Sequence, residues 1–323
     1  MRSPLPIRTR FALLFVGTLC ASVTACGNGV GGDAPQSSAA AGGGTPQASA
    51  IPDNAELIDA VAPDQALTAG LPPAIAQSKT VKVGSNIQSA PNNFYAEDGK
   101  TPIGFEVDLA KAIGRKLGVE TAYQDMAFGS LITSLQSGRI DMTMAGMNDT
   151  KERQGQIDFV DYFSSGITIM VQKGNPEGIT GADSLCGKNV AVVQGTSHQA
   201  FAAAQSEKCV KGGKPAVNVT ATDSDTQNQN QLRTGRVAAI LNDLPSAAYI
   251  SRTAGDGKIF EVVPGEPIDG GPYGIGFAKD DVALRDSVNK ALSDLMADGT
   301  YLKILQSWGV EQGALKASAI NGA

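Results

Sequence analysis

Phe105, Leu109, Ile113 and Leu117 recur every fourth position, with Glu106, Asp108, Lys111, Arg115 and Lys116 between them. That period gathers the apolar side chains on one face and predicts an amphipathic helix over 104–117. Both acids fall in its first turn, where the helix dipole favours negative charge, so Glu106 and Asp108 read as helix-end charges rather than an acid/base pair. Upstream the period is two: Thr80-Val81-Lys82-Val83-Gly84-Ser85-Asn86 alternates and then stops in small polar residues, as a strand does. The two periods keep trading places along the chain. A helix over 129–138, closed by Gly138, feeds a buried strand from Arg139 to Met144. Further strands are predicted over 167–171, 189–194 and 273–277, with a helix from about His198 to Ala204. Late helices carry Val288, Leu292, Leu295 and Met296, then, beyond a break at Gly299, Leu302, Leu305 and Trp308. Between 53 and 77 only short helical turns are predicted. Strands alternating with helices make this an α/β chain.

One passage occurs twice in outline. Ser134 to Gly146 reads as a helix end, Gly-Arg, then a strand, and Gln231 to Asp243 repeats that order. The repeat predicts two α/β lobes of one plan, each showing strand ends to the other. Gln172 to Pro176, and Gly265, Pro267, Gly270, Gly271 and Pro272, are candidate crossovers between them. The first copy runs on through Gly146, Met147 and Asn148 to Arg153. A guanidinium beside open backbone groups at a strand's carboxyl end suits a carboxylate, which its N–H groups match bidentately. Pairing of Arg153 with Glu152 or Asp158 on a solvated helix is the competing account.

Composition narrows the picture. The 323 residues suffice for about two domains, and a net charge of −6 with no basic cluster argues against nucleic acid. One histidine, His198, makes histidine-based metal sites and a Ser-His-Asp triad unexpected, and it is set aside as a functional residue. No metal or cofactor is predicted. Arg2, Arg8 and Arg10 precede an apolar run, Phe11 to Leu19, too short to span a bilayer. Val23-Thr24-Ala25-Cys26 then resembles a bacterial lipoprotein box. Residues 1–25 are therefore expected to be a removable signal, with Cys26 lipidated. Their loss takes away three arginines and no acids, leaving −9. No other run is long and apolar enough to cross a membrane. Cys186 and Cys209, the pair beyond the leader, are expected to form a disulfide in an exported protein. Gly27 to Ser49 has almost no large apolar residue and reads as a flexible tether.

Several motifs resemble those of the extracellular solute-binding proteins of family 3, the substrate receptors of polar amino-acid ABC importers. They are Gly104-Phe105-Glu106-Val107-Asp108-Leu109 with Ile113, Gly114 and Leu117, then Gly146-Met147-Asn148, Thr150, Glu152 and Arg153 with Ile157-Asp158-Phe159. Gly195-Thr196-Ser197, Asn242-Asp243 with Pro245, and Ala297-Asp298-Gly299-Thr300-Tyr301 with Trp308-Gly309-Val310 follow in order. The resemblance implies a two-lobed, periplasmic-binding-protein-like fold of type II with two crossover strands. On that plan residues 1–25 are the signal, 26–78 the tether and helical lead-in, 79–172 plus 268–323 the first lobe, and 173–267 the second.

It also implies roles. Arg153 would clamp a ligand's α-carboxylate with Asn148, Thr196 and Ser197, the last two at a helix start that offers free N–H groups to an anion. Asp243, helped by the Gly146 carbonyl, would accept the α-ammonium, and Phe128 would wall the side-chain pocket. Asn86 stands where many relatives carry Asp, Asn148 where Ser or Thr is usual, and Ser89 and Asn92 where aromatic residues are frequent. With Ser85, Asn86, Ser89 and Phe128 as lining, a neutral polar amino acid is expected rather than a basic one. The partners implied are a free amino acid and a membrane permease, with the receptor monomeric, outside the cytoplasm and tethered to the membrane. A cyclohexadienyl-dehydratase-like enzyme and a ligand-sensing accessory protein are the alternatives on the same scaffold.

Overall fold

The computed structural model describes residues 51–323; the leader, Cys26 and the 27–49 tether lie outside them. In chain order the strands are β1 (Thr80–Ser85), β2 (Phe94–Tyr95), β3 (Pro102–Ile103), β4 (Glu120–Asp125), β5 (Met142–Thr143) and β6 (Ile157–Gln172). They continue with β7 (Asn189–Val193), β8 (Asn218–Thr222), β9 (Ala239–Asp243), β10 (Phe260–Val262) and β11 (Ile268–Ala278). Nine of these form one sheet in the order β4-β1-β5-β11-β6-β9-β7-β8, with β10 beside β6. Within each half the short strands run parallel: β1 with β4 and β5, β7 with β8 and β9.

β6 and β11 join the halves. β6 pairs with β11 from Ile157 to Ser165 and again at Ile167, then takes β9 as a partner from Ile167 to Met170. The 157–159 motif and the 167–171 strand, separate by sequence pattern, are thus one strand of 16 residues. Small residues make this possible. Ser164, Ser165 and Gly166 let β11 approach so closely that a Cβ on Gly166 would lie 2.8 Å from the Cβ of Pro267.

Each lobe has its own core. The helix Phe105–Leu117 buries Phe105, Leu109, Ile113 and Leu117, each exposed by 1% or less, against β1 and the helices Val282–Ala297 and Thr300–Trp308. Burial of such side chains contributes about 1.5–3 kcal/mol each, which is why the four-residue period survives into the fold. Gly118, at φ 69°, ends the helix. The lead-in helices Ala55–Asp59, Gln65–Ala69 and Pro73–Ser78 bring Ile58, Leu71 and Ile75 into that core. In the second lobe one sheet face packs Ile169, Val190, Val192 and Leu241, and the other packs Met170, Leu232, Ile240 and Ile250.

Two expectations about polar residues meet the structure differently. Cys186 and Cys209 form the expected disulfide, Cα atoms 5.6 Å apart, tying the turn Ala182–Leu185 to the helix Ser197–Lys211. Glu106 and Asp108 lie in the first turn of their helix, as expected, but both are buried there. Asp108 accepts hydrogen bonds from Asn54 Nδ2 and Trp308 Nε1, both at 2.8 Å, so it pins the lead-in and the last long helix to the first lobe. Glu106 is fully buried. Among the described residues no helix is long and apolar enough to cross a membrane.

Candidate functional site

A cleft lies where the strand ends of the two lobes face each other, the place at which open α/β sheets take ligands. From the first lobe it receives Asn86 just past β1, Phe128, and Ala145, Gly146 and Asn148 beyond β5. From the second come Thr196 and Ser197 after β7, and Asp243 at the end of β9. Seven of the eight predicted ligand-binding residues line this cavity: Asn86, Phe128, Gly146, Asn148, Thr196, Ser197 and Asp243. Arg153 sits at its rim.

The lobes touch across the cleft. Arg153 donates through Nη1 to the Asn148 carbonyl at 2.8 Å and through Nη2 to the Gly195 carbonyl of the other lobe at 3.2 Å. Its guanidinium lies over the Phe128 ring, 5.6 Å from the centroid, a favourable cation–π geometry. No ion pair with Glu152 or Asp158 forms: Asp158 is held instead by Lys279 and Arg285. Ser197 Oγ donates to Asn148 Oδ1 at 2.7 Å, and Ser89 Oγ to Asp225 Oδ2 at 3.3 Å. Phe94 and Tyr249 add an aromatic contact between the lobes, ring centroids 5.9 Å apart. With these contacts made, a cavity of ≈ 40 Å³ remains in the cleft. A ligand that takes the place of the contacts requires the lobes to part or their side chains to rearrange.

Local sequence explains the placement. Thr196 caps the helix Ser197–Lys211: its hydroxyl accepts from Gln199 N–H and donates to the Val193 carbonyl. The Thr196 side chain is thereby spent on the cap, while Ser197 faces Asn148. Gly146, at φ 60°, turns its N–H onto Glu106 Oε1 at 2.8 Å. Glu106 also accepts from Tyr162 Oη at 2.6 Å, from Asn92 and from Asn93, so it props the cleft floor from below. Burial drives its pKa up from 4.5 to about 7 despite those donors.

Charge is concentrated on the second-lobe wall. Asp243 is 6% exposed and Asp225 3%. His198, set aside on sequence, also lines the cavity, with Nε2 3.3 Å from Asp243 Oδ1. That distance is short, yet the orientation leaves both atoms without a hydrogen bond inside the chain, as is Asn92 Oδ1. Unpaired buried polar atoms are costly, which marks these as groups aimed at something else. Burial alone would lower the His198 pKa; Asp243 and Asp225 outweigh it and raise it. Arg153 is shifted down by burial, against Glu152, Asp243 and Asp149.

Sequence reasoning missed His198, Asp225, Asn242 and Ser246 in the cavity wall. His198 had a usable signal, since it follows Ser197 in the first turn of a cleft-facing helix. Asp225 had none, because its position depends on how the second lobe packs. Ser85, expected as lining, lies buried beside the cavity rather than in its wall. Among the described residues no group of three or more His, Cys, Asp or Glu could hold a metal ion.

Two α/β lobes bridged by paired crossing strands, with a polar cleft between their strand ends, define a two-lobed ligand receptor. The chain belongs to the bacterial extracellular solute-binding proteins, family 3, whose profile matches residues 81–311. It is 31% identical to the L-cystine-binding protein TcyJ of Escherichia coli over 74% of this chain and 86% of that one. Against the arginine-binding protein ArgT of Corynebacterium glutamicum the identity is 29%, over 79% and 82%. Among solved structures, an ancestral arginine-binding protein bound to arginine superposes with a TM-score of 0.64 at 37% identity, covering 72% of this chain and 98% of that one.

Proposed function

We propose that this protein is the substrate receptor of an ABC importer, capturing a free amino acid in the cleft and delivering it to a membrane permease. It works outside the cytoplasm as a monomer, on a lipid carried by Cys26. The observation that carries this reading is Asp243, a buried carboxylate whose Oδ1 has no hydrogen bond inside the chain, on the wall facing Asn148, with Arg153 at the rim. Asp243 accepts the α-ammonium. Arg153 exchanges the Asn148 and Gly195 carbonyls for the α-carboxylate, joined by Asn148 and Ser197. Because the two charges reside on different lobes, a zwitterion bound to both favours closure, and binding free energy drives the hinge.

Thermal-shift screening of the purified protein against the L-amino acids tests this. A ligand at a thousandfold its Kd adds about 4 kcal/mol of stability. Absence of any shift across the panel overturns the proposal. A second reading, an enzyme on the same scaffold, draws on one observation, the buried His198 with its Nε2 3.3 Å from Asp243, a titratable group in the cleft that could move a proton. Product formation from arogenate or prephenate would favour it over simple capture.

A further inference from the structure

An amino acid's head group uses one acid and one guanidinium of the cleft, and the cleft holds one acid more. Asp225 begins the helix Asp225–Arg233 of the second lobe, is 3% exposed, and lines the cavity. Its Oδ2 accepts from Asn242 Nδ2 at 3.0 Å and, across the cleft, from Ser89 Oγ at 3.3 Å. Both partners are neutral. A carboxylate this deep, held only by neutral donors and with Asp243 nearby, is poorly compensated.

We infer that Asp225 is the specificity-determining residue of this site: it accepts the side-chain cation of a basic L-amino acid, with Ser89 closing over that group from the other lobe. This rests on the amino-acid reading above and names its ligand class. The charges support it. With His198 neutral, Arg153 against Asp225 and Asp243 leaves the cleft one negative charge in excess; a zwitterion does not change that, whereas a guanidinium or ammonium side chain cancels it. His198 is the other group able to cancel it, but its Nε2 faces Asp243 rather than Asp225. Burial raises the pKa of Asp225, as expected of an acid awaiting a cation. Sequence reasoning, finding Asn86 where it sought an acid, expected a neutral polar ligand. The structure brings an acid to the same cleft from position 225, on the opposite lobe.

Isothermal calorimetry on the purified protein tests the inference with L-arginine, L-lysine and L-ornithine against L-glutamine and L-citrulline, the last an uncharged isostere of arginine. The best basic amino acid is expected to bind about 100-fold or more tighter than citrulline or glutamine, and Asp225→Asn to reduce that ratio to about tenfold or less. Circular dichroism and the urea midpoint of Asp225→Asn establish that it is folded, and Asp225→Glu, which retains the charge, should preserve part of the preference. Preference for a neutral amino acid, or an unchanged ratio in Asp225→Asn, overturns the inference. If a neutral amino acid binds and Asp243→Asn abolishes that binding, the receptor reading survives while this inference fails. If no amino acid binds, both fall.

Discussion

Gly195 of the second lobe and Gly129 of the first meet back to back: a Cβ on Gly195 would lie 2.9 Å from the Cα of Gly129. Gly195 also has φ 78°, a conformation that L side chains rarely adopt. The carbonyl of Gly195 receives Arg153 at the same point, so this close approach of the lobes coincides with the proposed anion clamp. Gly195→Ala should wedge the lobes apart and lower ligand affinity about tenfold or more, since each 1.4 kcal/mol is a factor of ten. Calorimetry reads the loss, and small-angle scattering of the ligand-saturated variant should show a larger radius of gyration than wild type.

Arg153→Ala should weaken binding by about 2–5 kcal/mol, because a buried ligand carboxylate would lose its counter-charge. Asp243→Ala should cost a similar amount. The two losses should fall short of additivity in a double-mutant cycle, as both act on one bridging ligand. Unchanged affinity in Arg153→Ala would remove the clamp from the mechanism.

Glu106 gives a pH signature. Its folded pKa, about 7, stands above its ordinary 4.5, so the neutral acid is the form the fold prefers. The stability this provides is fully present below pH 4.5 and is lost as pH rises to about 7, at a cost of about 3 kcal/mol. Asp161, raised to about 7 mainly by burial with help from Asp149, acts in the same window. Comparison with Glu106→Gln therefore isolates the Glu106 share. Urea denaturation at pH 5 and pH 8 should show a smaller drop in the variant than in wild type, whatever the variant's absolute stability.

Much of this architecture was legible because local pattern and tertiary burial agree. Phe105, Leu109, Ile113 and Leu117 are periodic in sequence and buried in fact. Seven of eight expected ligand-binding residues share one cavity: Asn86, Asn148, Thr196 and Ser197 follow strands readable from where alternation stops, whereas Phe128 and Asp243 came from the family resemblance. What escaped has little alternation or depends on distant packing. β8, Asn218–Thr222, exposes four of its five residues at the sheet edge and carries no apolar stripe. β4, Glu120–Asp125, has no buried residue. The helix Leu244–Thr253 begins on Leu244 and Pro245 directly after a strand, with no polar cap hydrogen bond to announce it. Glu106 and Asp108 fall in the first turn as read, but their burial was not legible, because a first-turn acid looks the same in sequence whether it meets solvent or is buried among donors.

The Cys186–Cys209 disulfide closes a separation of 23 residues. In the chain-entropy account a loop of that length contributes about 3 kcal/mol. Cys186→Ala/Cys209→Ala, or reduction with dithiothreitol, should lower the unfolding free energy by about that amount. The effect is confined to the second lobe, so hydrogen exchange should speed there, above all in the helix Ser197–Lys211.

The central claim is a zwitterion held between Arg153 on one lobe and Asp243 on the other. It is tested most directly by calorimetry of the tightest-binding amino acid beside its decarboxylated and its N-acetylated forms. Loss of either head group should weaken binding about 100-fold or more, since each leaves a buried charge of the protein unpaired. A decarboxylated or N-acetylated form that binds as tightly as the parent amino acid would contradict the account.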